Sequence, residues 1–209
     1  MPQIKLQPSL LSADLGRLSD EITRAEPYVD GFHFDVMDGQ FVPNLTFGPP
    51  VLQCLASSKP FDAHLMVEQP DILLEPFAKA GAKALSVHIE TCPHIHRTLQ
   101  RIRDLGMLAG VVLNPGTGYE VAREAIGFAD FALVMSVNPG FSGQAFIPET
   151  LDKVCRIRSD FPELDIQIDG GMNAQTAPQA IAAGANWIVS GSFFWQADKL
   201  ASAAQALRG

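Results

Sequence analysis

Phe32-His33-Phe34-Asp35-Val36-Met37-Asp38-Gly39 is the stretch on which the reading of the fold turns. It has the form of a β-strand running into a turn. Side chains alternate along a strand, so Phe32, Phe34 and Val36 share one face while His33, Asp35 and Met37 share the other. One face is hydrocarbon and the other carries chemistry. A carboxylate beside an imidazole is costly to bury on such a strand unless a cation or a proton-transfer task gives it a partner.

Outward from this strand, apolar runs alternate with segments of helical periodicity, the pattern of successive βα units around a parallel sheet. Strands are expected near 4–9, 31–37, 61–66, 84–89, 108–113, 131–137, 165–169 and 187–190. Helices are expected after each, near 15–26, 49–57, 71–80, 94–105, 118–126, 148–160, 174–183 and 198–207. Ala80-Gly81 and Ala183-Gly184 read as helix C-caps. Eight such units predict an α/β fold of the (β/α)₈ TIM-barrel type, as a single catalytic domain over residues 1–209. A doubly wound open sheet is the alternative, weakened by the lack of a Gly-x-Gly-x-x-Gly turn after the first strand.

Composition bounds the partners. The 209 residues are 47% apolar, enough for one sizeable core, and carry a net charge of −8. That balance argues against a nucleic-acid partner, whose phosphates are held mainly by Lys and Arg. No apolar run approaches the roughly 20 residues of a membrane span, so no membrane partner is expected. The N-terminus leads straight into a strand-like segment, which reads as a chain without a targeting peptide. Cys54, Cys92 and Cys155 form neither a disulfide framework nor paired Cys-x-x-Cys motifs, so a reducing, cytoplasmic location is expected.

In a barrel, the C-terminal ends of all strands open on one mouth. Ser9, His33 with Asp35, His64 with Met66, His88, Met135 and Asp169 therefore become neighbours in the expected fold. Two imidazoles and two carboxylates converge with no Lys or Arg at a strand end to neutralise them. His33, Asp35, His64 and Asp169 form a mixed nitrogen and oxygen ligand set for one divalent cation per chain. It suits Zn, Fe, Mn or Co and is too rich in nitrogen to favour Mg or Ca. Three glycine-containing loops surround the same mouth: Ser136 through Gln144 with Gly140, Phe141, Ser142 and Gly143; Asp169-Gly170-Gly171; and Ser190-Gly191-Ser192. Their exposed amides are suited to an anionic group such as phosphate.

These residues resemble the ribulose-phosphate 3-epimerase family. The resemblance runs from Pro8-Ser9 to Gly191-Ser192. Its most specific parts are His33 to Gly39 with Phe41-Val42-Pro43-Asn44, His64-Leu65-Met66, Asn114-Pro115, the Ser136 to Gln144 loop and Asp169-Gly170-Gly171. It implies a metal-dependent isomerase that inverts carbon 3 of a phosphorylated ketopentose through an enediolate. The reaction would interconvert ribulose 5-phosphate and xylulose 5-phosphate, in the pentose phosphate pathway or the Calvin cycle. By the same resemblance His33, Asp35, His64 and Asp169 hold the metal, and Asp35 and Asp169 act as acid and base on opposite faces of the substrate. Ser9 and His64 touch the sugar. Gly140, Phe141, Ser142, Gly143, Gly170, Gly171, Gly191 and Ser192 bind the substrate around its phosphate. The expected partners are a small sugar phosphate and further copies of the chain, as a homo-oligomer.

Met37, Met66 and Met135 have two readings, core filler or thioethers packed at the enediolate. Met172, the run Asn114-Pro115-Gly116-Thr117-Gly118 and the bulky Ser192-Phe193-Phe194-Trp195 depart from the family's usual pattern, and none is a ligand position. Cys92, His94 and His96 have a metal-like spacing, but Pro93 suits a helix start and their side chains would diverge. His88 shares its strand face with Ser86 and Glu90, which suits a hydrogen bond to a ligand better than ligation. Asp38 reads as a turn residue. Two other reactions compete: 3-epimerisation of a hexulose 6-phosphate such as allulose 6-phosphate, and a phosphosugar lyase. A strand-end Lys, as Schiff base or acid, would serve such a lyase, and the second strand offers none.

Overall fold

The alternation that puts Phe32, Phe34 and Val36 on one face and His33 and Asp35 on the other is kept in the folded sheet, whereas Val112, Leu133 and Met135 form a separate apolar cluster. In the computed structural model, which describes residues 3–209, eight parallel strands lie among the described residues. They are β1 (Lys5–Pro8), β2 (Phe32–Met37), β3 (Phe61–Met66), β4 (Ala84–His88), β5 (Leu108–Leu113), β6 (Phe131–Met135), β7 (Asp165–Asp169) and β8 (Trp187–Ser190). Their order is β1-β8-β7-β6-β5-β4-β3-β2. A parallel bridge between Ser9 and His33 joins the two ends and closes a (β/α)₈ barrel. All six residues of β2 are buried, because helices cover its outer face and the barrel interior its inner one.

The helices are α1 (Leu18–Ala25), α2 (Pro49–Gln53), α3 (Leu74–Ala80), α4 (Ile95–Asp104), α5 (Tyr119–Ile126), α6 (Leu151–Asp160), α7 (Thr176–Ala183), α8 (Ser192–Trp195) and α9 (Leu200–Arg208). Gly81 and Gly184 end α3 and α7 in the left-handed conformation, as the sequence predicts. Two spans differ from expectation. The helix expected over 49–57 stops at Gln53. There the Lys59 N–H donates to Ser57 Oγ over 2.9 Å, the local side-chain bond by which serine competes with a helix, and the Ser57 hydroxyl and Ser58 N–H donate to Glu26 Oε1. The segment after β8, expected as loop, folds into α8. There the Trp195 indole N–H donates to the Ser9 carbonyl over 2.7 Å and ties the end of the chain's helical layer to the mouth.

Outward-facing strand residues such as Leu6, Phe34, Leu65, Val87, Val111, Ile168 and Ile188 pack against helix residues such as Ile22, Phe77, Leu99 and Leu207. The barrel floor is separate: Ala84, Phe131 and Trp187 pack together, with the two aromatic centroids 5.0 Å apart. Gly110 leaves room for this ring, since a Cβ there would run into the Phe131 ring atoms. Replacing glycine with alanine in a strand normally gains up to about 1 kcal/mol from chain entropy. Overpacking a fixed ring costs about 1–3 kcal/mol, so the loss wins. Gly110→Ala is expected to lower the urea midpoint at unchanged m-value, and an unchanged or raised midpoint would refute this account of the floor.

Candidate active site

Strand register sets the centre. Asp35 on β2 stands opposite His64 on β3, and Asp169 ends β7 opposite Met135. His33, Asp35, His64 and Asp169 each direct one ligand atom into a cluster in which all lie within 4.8 Å of one another. Asp35 Oδ1 is 3.4 Å from His33 Nε2 and 3.4 Å from His64 Nδ1. Asp169 Oδ2 is 3.9 Å from each of the same two nitrogens. These separations are too long for good hydrogen bonds.

The remaining ring nitrogens are engaged elsewhere. His33 Nδ1 lies 2.9 Å from Asp62 Oδ2, and His64 Nε2 lies 2.9 Å from His88 Nε2. His33 Nε2 and His64 Nδ1 are left buried without a hydrogen-bond partner. Two unpartnered imidazole nitrogens and two carboxyls facing one point fit a divalent cation. Ligand atoms about 2.1 Å from a common ion at a tetrahedral angle stand about 3.4 Å apart, the spacing of the Asp35 pairs, while the Asp169 pairs at 3.9 Å are wider.

Protonation in the cluster is uneven. Burial opposes charge on Asp35, but the charge of His33 beside it holds its carboxyl well below the usual range. Burial likewise works against a charged His33, yet the charge of the Asp35 carboxylate and the hydrogen bond to Asp62 raise it well above 6.5. Burial, reinforced by the charge of Asp35, pushes Asp169 up to about 7. Burial lowers His64 to about 4. The two carboxyls thus lean to opposite protonation states at neutral pH, the arrangement from which acid and base roles are drawn.

Above the cluster lies a cavity lined by Ser9, Asp35, Asp169 and the thioethers of Met37, Met66 and Met135. Ser9 Oγ donates to Asp35 Oδ2 over 2.5 Å. The loop positions Gly140, Phe141, Ser142, Gly143, Gly170, Gly171, Gly191 and Ser192 all line this cavity, as do Met172 and Phe193. Met172 and Phe193, two of the bulky departures from the family pattern, therefore shape its wall. His64 is absent from the lining and reaches the site through Nδ1 alone. No Lys or Arg lines the cavity among the described residues, so an anionic group there would meet amides and hydroxyls.

These loops are stitched together. Ser136 Oγ donates to the carbonyls of Asp169 and Gly170 at 2.9 and 2.7 Å, and Asn44 Nδ2 donates to the Gly140 carbonyl at 2.7 Å. Gly171 has φ +66°, and a Cβ on it would meet the Phe146 backbone nitrogen at 2.9 Å, so a side chain is excluded both by conformation and by space.

Beneath the cluster runs a polar layer that reading from the strand ends misses. Gln167 Nε2 donates to Asp62 Oδ2 at 2.6 Å and to Gln7 Oε1 at 3.1 Å. Asp62 is 1% exposed and fixes the His33 ring. Its signal was present in the alternation Asp62-Ala63-His64, which puts both on the inner face. His88 does pair with a candidate ligand, as its strand face predicts. Asp38 is the turn residue expected, accepting from the Gln40 and Phe41 amides at 2.8 and 3.0 Å.

Comparison with known proteins gives three findings. Residues 5–195 match the family model described as the ribulose-phosphate 3 epimerase family. Relatives named ribulose-phosphate 3-epimerase include one from Bacillus subtilis (strain 168), 46% identical over 99% of this chain and 99% of its own length. One from Escherichia coli (strain K12) is 42% identical over 92% of this chain and 89% of its own. Among solved structures, KGPDC from Streptococcus mutans superposes with a TM-score of 0.75, covering 99% of this chain and 96% of that one at 16% identity. A 3-hexulose-6-phosphate synthase superposes with a TM-score of 0.69, covering 98% of each chain at 20% identity. At those identities the structural likeness speaks for the barrel alone.

Proposed function

The chain belongs to the ribulose-phosphate 3-epimerase family, and from that membership we propose how its residues interconvert ribulose 5-phosphate and xylulose 5-phosphate. The protein is an isomerase. The observation that carries the mechanism is the placement of Asp35 and Asp169, two carboxyls that line one cavity from β2 and β7.

Inverting a carbon beside a ketone requires a proton taken from one face and a proton returned to the other. Two carboxyls that together hold one proton meet this need in both directions. Asp35, ionised beside His33 and oriented by Ser9, accepts the proton of the epimer that faces it, and Asp169 donates from the opposite side. The reverse reaction exchanges the roles. Met37, Met66 and Met135 keep the wall of the reacting region apolar and soft. The loops at 140–143, 170–171 and 191–192 offer amides to the phosphate. His33 Nε2, His64 Nδ1 and the carboxylates of Asp35 and Asp169 would hold one divalent cation of the Zn, Fe, Mn or Co group. Such an ion, when bound, supplies Lewis-acid stabilisation of the charge developing on the substrate oxygens, on the order of several kcal/mol.

Residues 1–209 act in this reading as one catalytic domain, in the cytoplasm and as a homo-oligomer. No helix among the described residues is long and apolar enough to cross a membrane. Parallel steady-state kinetics on ribulose 5-phosphate and allulose 6-phosphate test the substrate. A kcat/KM at least about 10-fold higher for the pentulose phosphate is expected, and a preference for the hexulose phosphate would overturn the assignment. The same preparation, treated with substrate and borohydride, should form no covalent adduct, since no Lys among the described residues lines the cavity.

A further inference from the structure

Each histidine of the cluster can present a lone pair to it only in one tautomer, and the two need opposite ones. His33 must carry its proton on Nδ1, and His64 on Nε2, because Nε2 of the first and Nδ1 of the second face the centre. For His33 the arrangement is direct, as an Asp62 carboxylate oxygen, which can only accept, sits 2.9 Å from Nδ1. For His64 the neighbour is another imidazole, which can either donate or accept. Something further out must decide.

His88 is fully buried, and its Nε2 lies 2.9 Å from His64 Nε2. The ring centroids are 5.0 Å apart and the planes 21° apart, so with this short nitrogen-to-nitrogen distance the rings meet edge to edge. At the far side, His88 Nδ1 lies 3.2 Å from Glu90 Oε2. Glu90 Oε1 is occupied in turn by the Asn114 backbone N–H at 3.0 Å and by the Thr117 hydroxyl. A carboxylate can only accept, so His88 donates through Nδ1 and its Nε2 carries the lone pair. His64 must then donate through Nε2, which leaves Nδ1 bare toward the cluster.

We propose that Glu90 and His88 are positioning residues that set the tautomer of His64, with Glu90 reading out through His88 as a proton-direction relay. The proposal rests on the metal-binding reading given above for its consequence, but the tautomer it assigns exists in the metal-free protein. The relay starts on the β5–α5 side of the barrel, where Asn114 and Thr117 hold Glu90, and ends at the cluster.

Glu90→Gln gives a sharp test. The Asn114 N–H can only donate, so the new amide keeps its oxygen on that side and turns its NH₂ toward His88 Nδ1. His88 then becomes an acceptor at Nδ1 and a donor at Nε2, and His64 is forced to hold its proton on Nδ1. Glu90→Ala instead leaves His88 free to choose. Nitrogen-15 NMR of the metal-free protein is expected to show His64 as the Nε2–H tautomer in the wild type and in Glu90→Ala at least in part, and as the Nδ1–H tautomer in Glu90→Gln. Zn²⁺ affinity, measured by chelator competition, is expected to fall about 10–100-fold in Glu90→Gln and less in Glu90→Ala. A role in packing alone would give the opposite order, because glutamine is the closer replica of glutamate. An Nδ1–H tautomer of His64 in the wild type would overturn the relay, as would Glu90→Gln matching wild type or Glu90→Ala binding more weakly than Glu90→Gln. A wild type with the expected tautomer that binds no Zn²⁺ would instead overturn the metal reading.

Discussion

Asp169→Asn is expected to lose epimerisation by about 10³-fold or more while still exchanging the carbon 3 proton of one epimer with solvent. Asp35 remains in that variant, ionised beside His33, and can remove a proton from the epimer whose C–H bond faces it and return a solvent deuteron to the same face. Inversion fails because the opposite face has no donor. Asp35→Asn is expected to show the complementary pattern, with exchange confined to the other epimer, at a rate further reduced by the loss of the charge partner of His33. Both substitutions also remove a candidate ligand, so the assay is run at saturating divalent cation and the exchange pattern, more than the rate, is decisive. Mass spectrometry of recovered ribulose and xylulose phosphates in heavy water reads it directly. Full epimerisation in both variants, or exchange of both epimers by one of them, would refute a two-carboxylate mechanism.

Much of this site could be read from residues 32–39, and the reason is geometric. Period-2 alternation separates the phenylalanines from His33 and Asp35 without any knowledge of the fold. Barrel topology then brings Asp169 and His64 to the same mouth whatever their distance along the chain. What alternation could not give was which atom of each imidazole faces the centre, since that depends on the neighbours of the other nitrogen. Asp62 and the role of Glu90 escaped for that reason. Asp62 lies one layer below the strand ends, where a reading confined to those ends does not look, and Glu90 acts through a second imidazole. The short helix at 192–195 was also illegible, because four residues carry too little periodicity to be told from a loop. It is the Trp195 bond to Ser9 that gives this segment its place at the rim.

Stripping divalent ions is expected to abolish turnover, and restoring one of Zn²⁺, Fe²⁺, Mn²⁺ or Co²⁺ to recover it. The larger physical signature is in the pH dependence of binding. In the metal-free site His33 is raised well above 6.5 and Asp169 to about 7, so at pH 6 both hold protons that oppose cation binding. Each such proton costs up to about tenfold in affinity per pH unit below its pKa. The sign is therefore fixed: affinity rises with pH through about 7 and levels off once the groups are bare. Asp35, already ionised, and His64, lowered to about 4, contribute nothing to this slope near neutrality. Calorimetric titration of Zn²⁺ in two buffers of different ionisation heat should record a release of about one to two protons at pH 6 and fewer at pH 8. Thermal stability should follow the same curve, with about 4 kcal/mol of added stability when free ion reaches a thousand times its dissociation constant. Binding that is indifferent to pH, or turnover that survives complete removal of divalent ions, would show that the two unpartnered imidazole nitrogens serve something other than a cation.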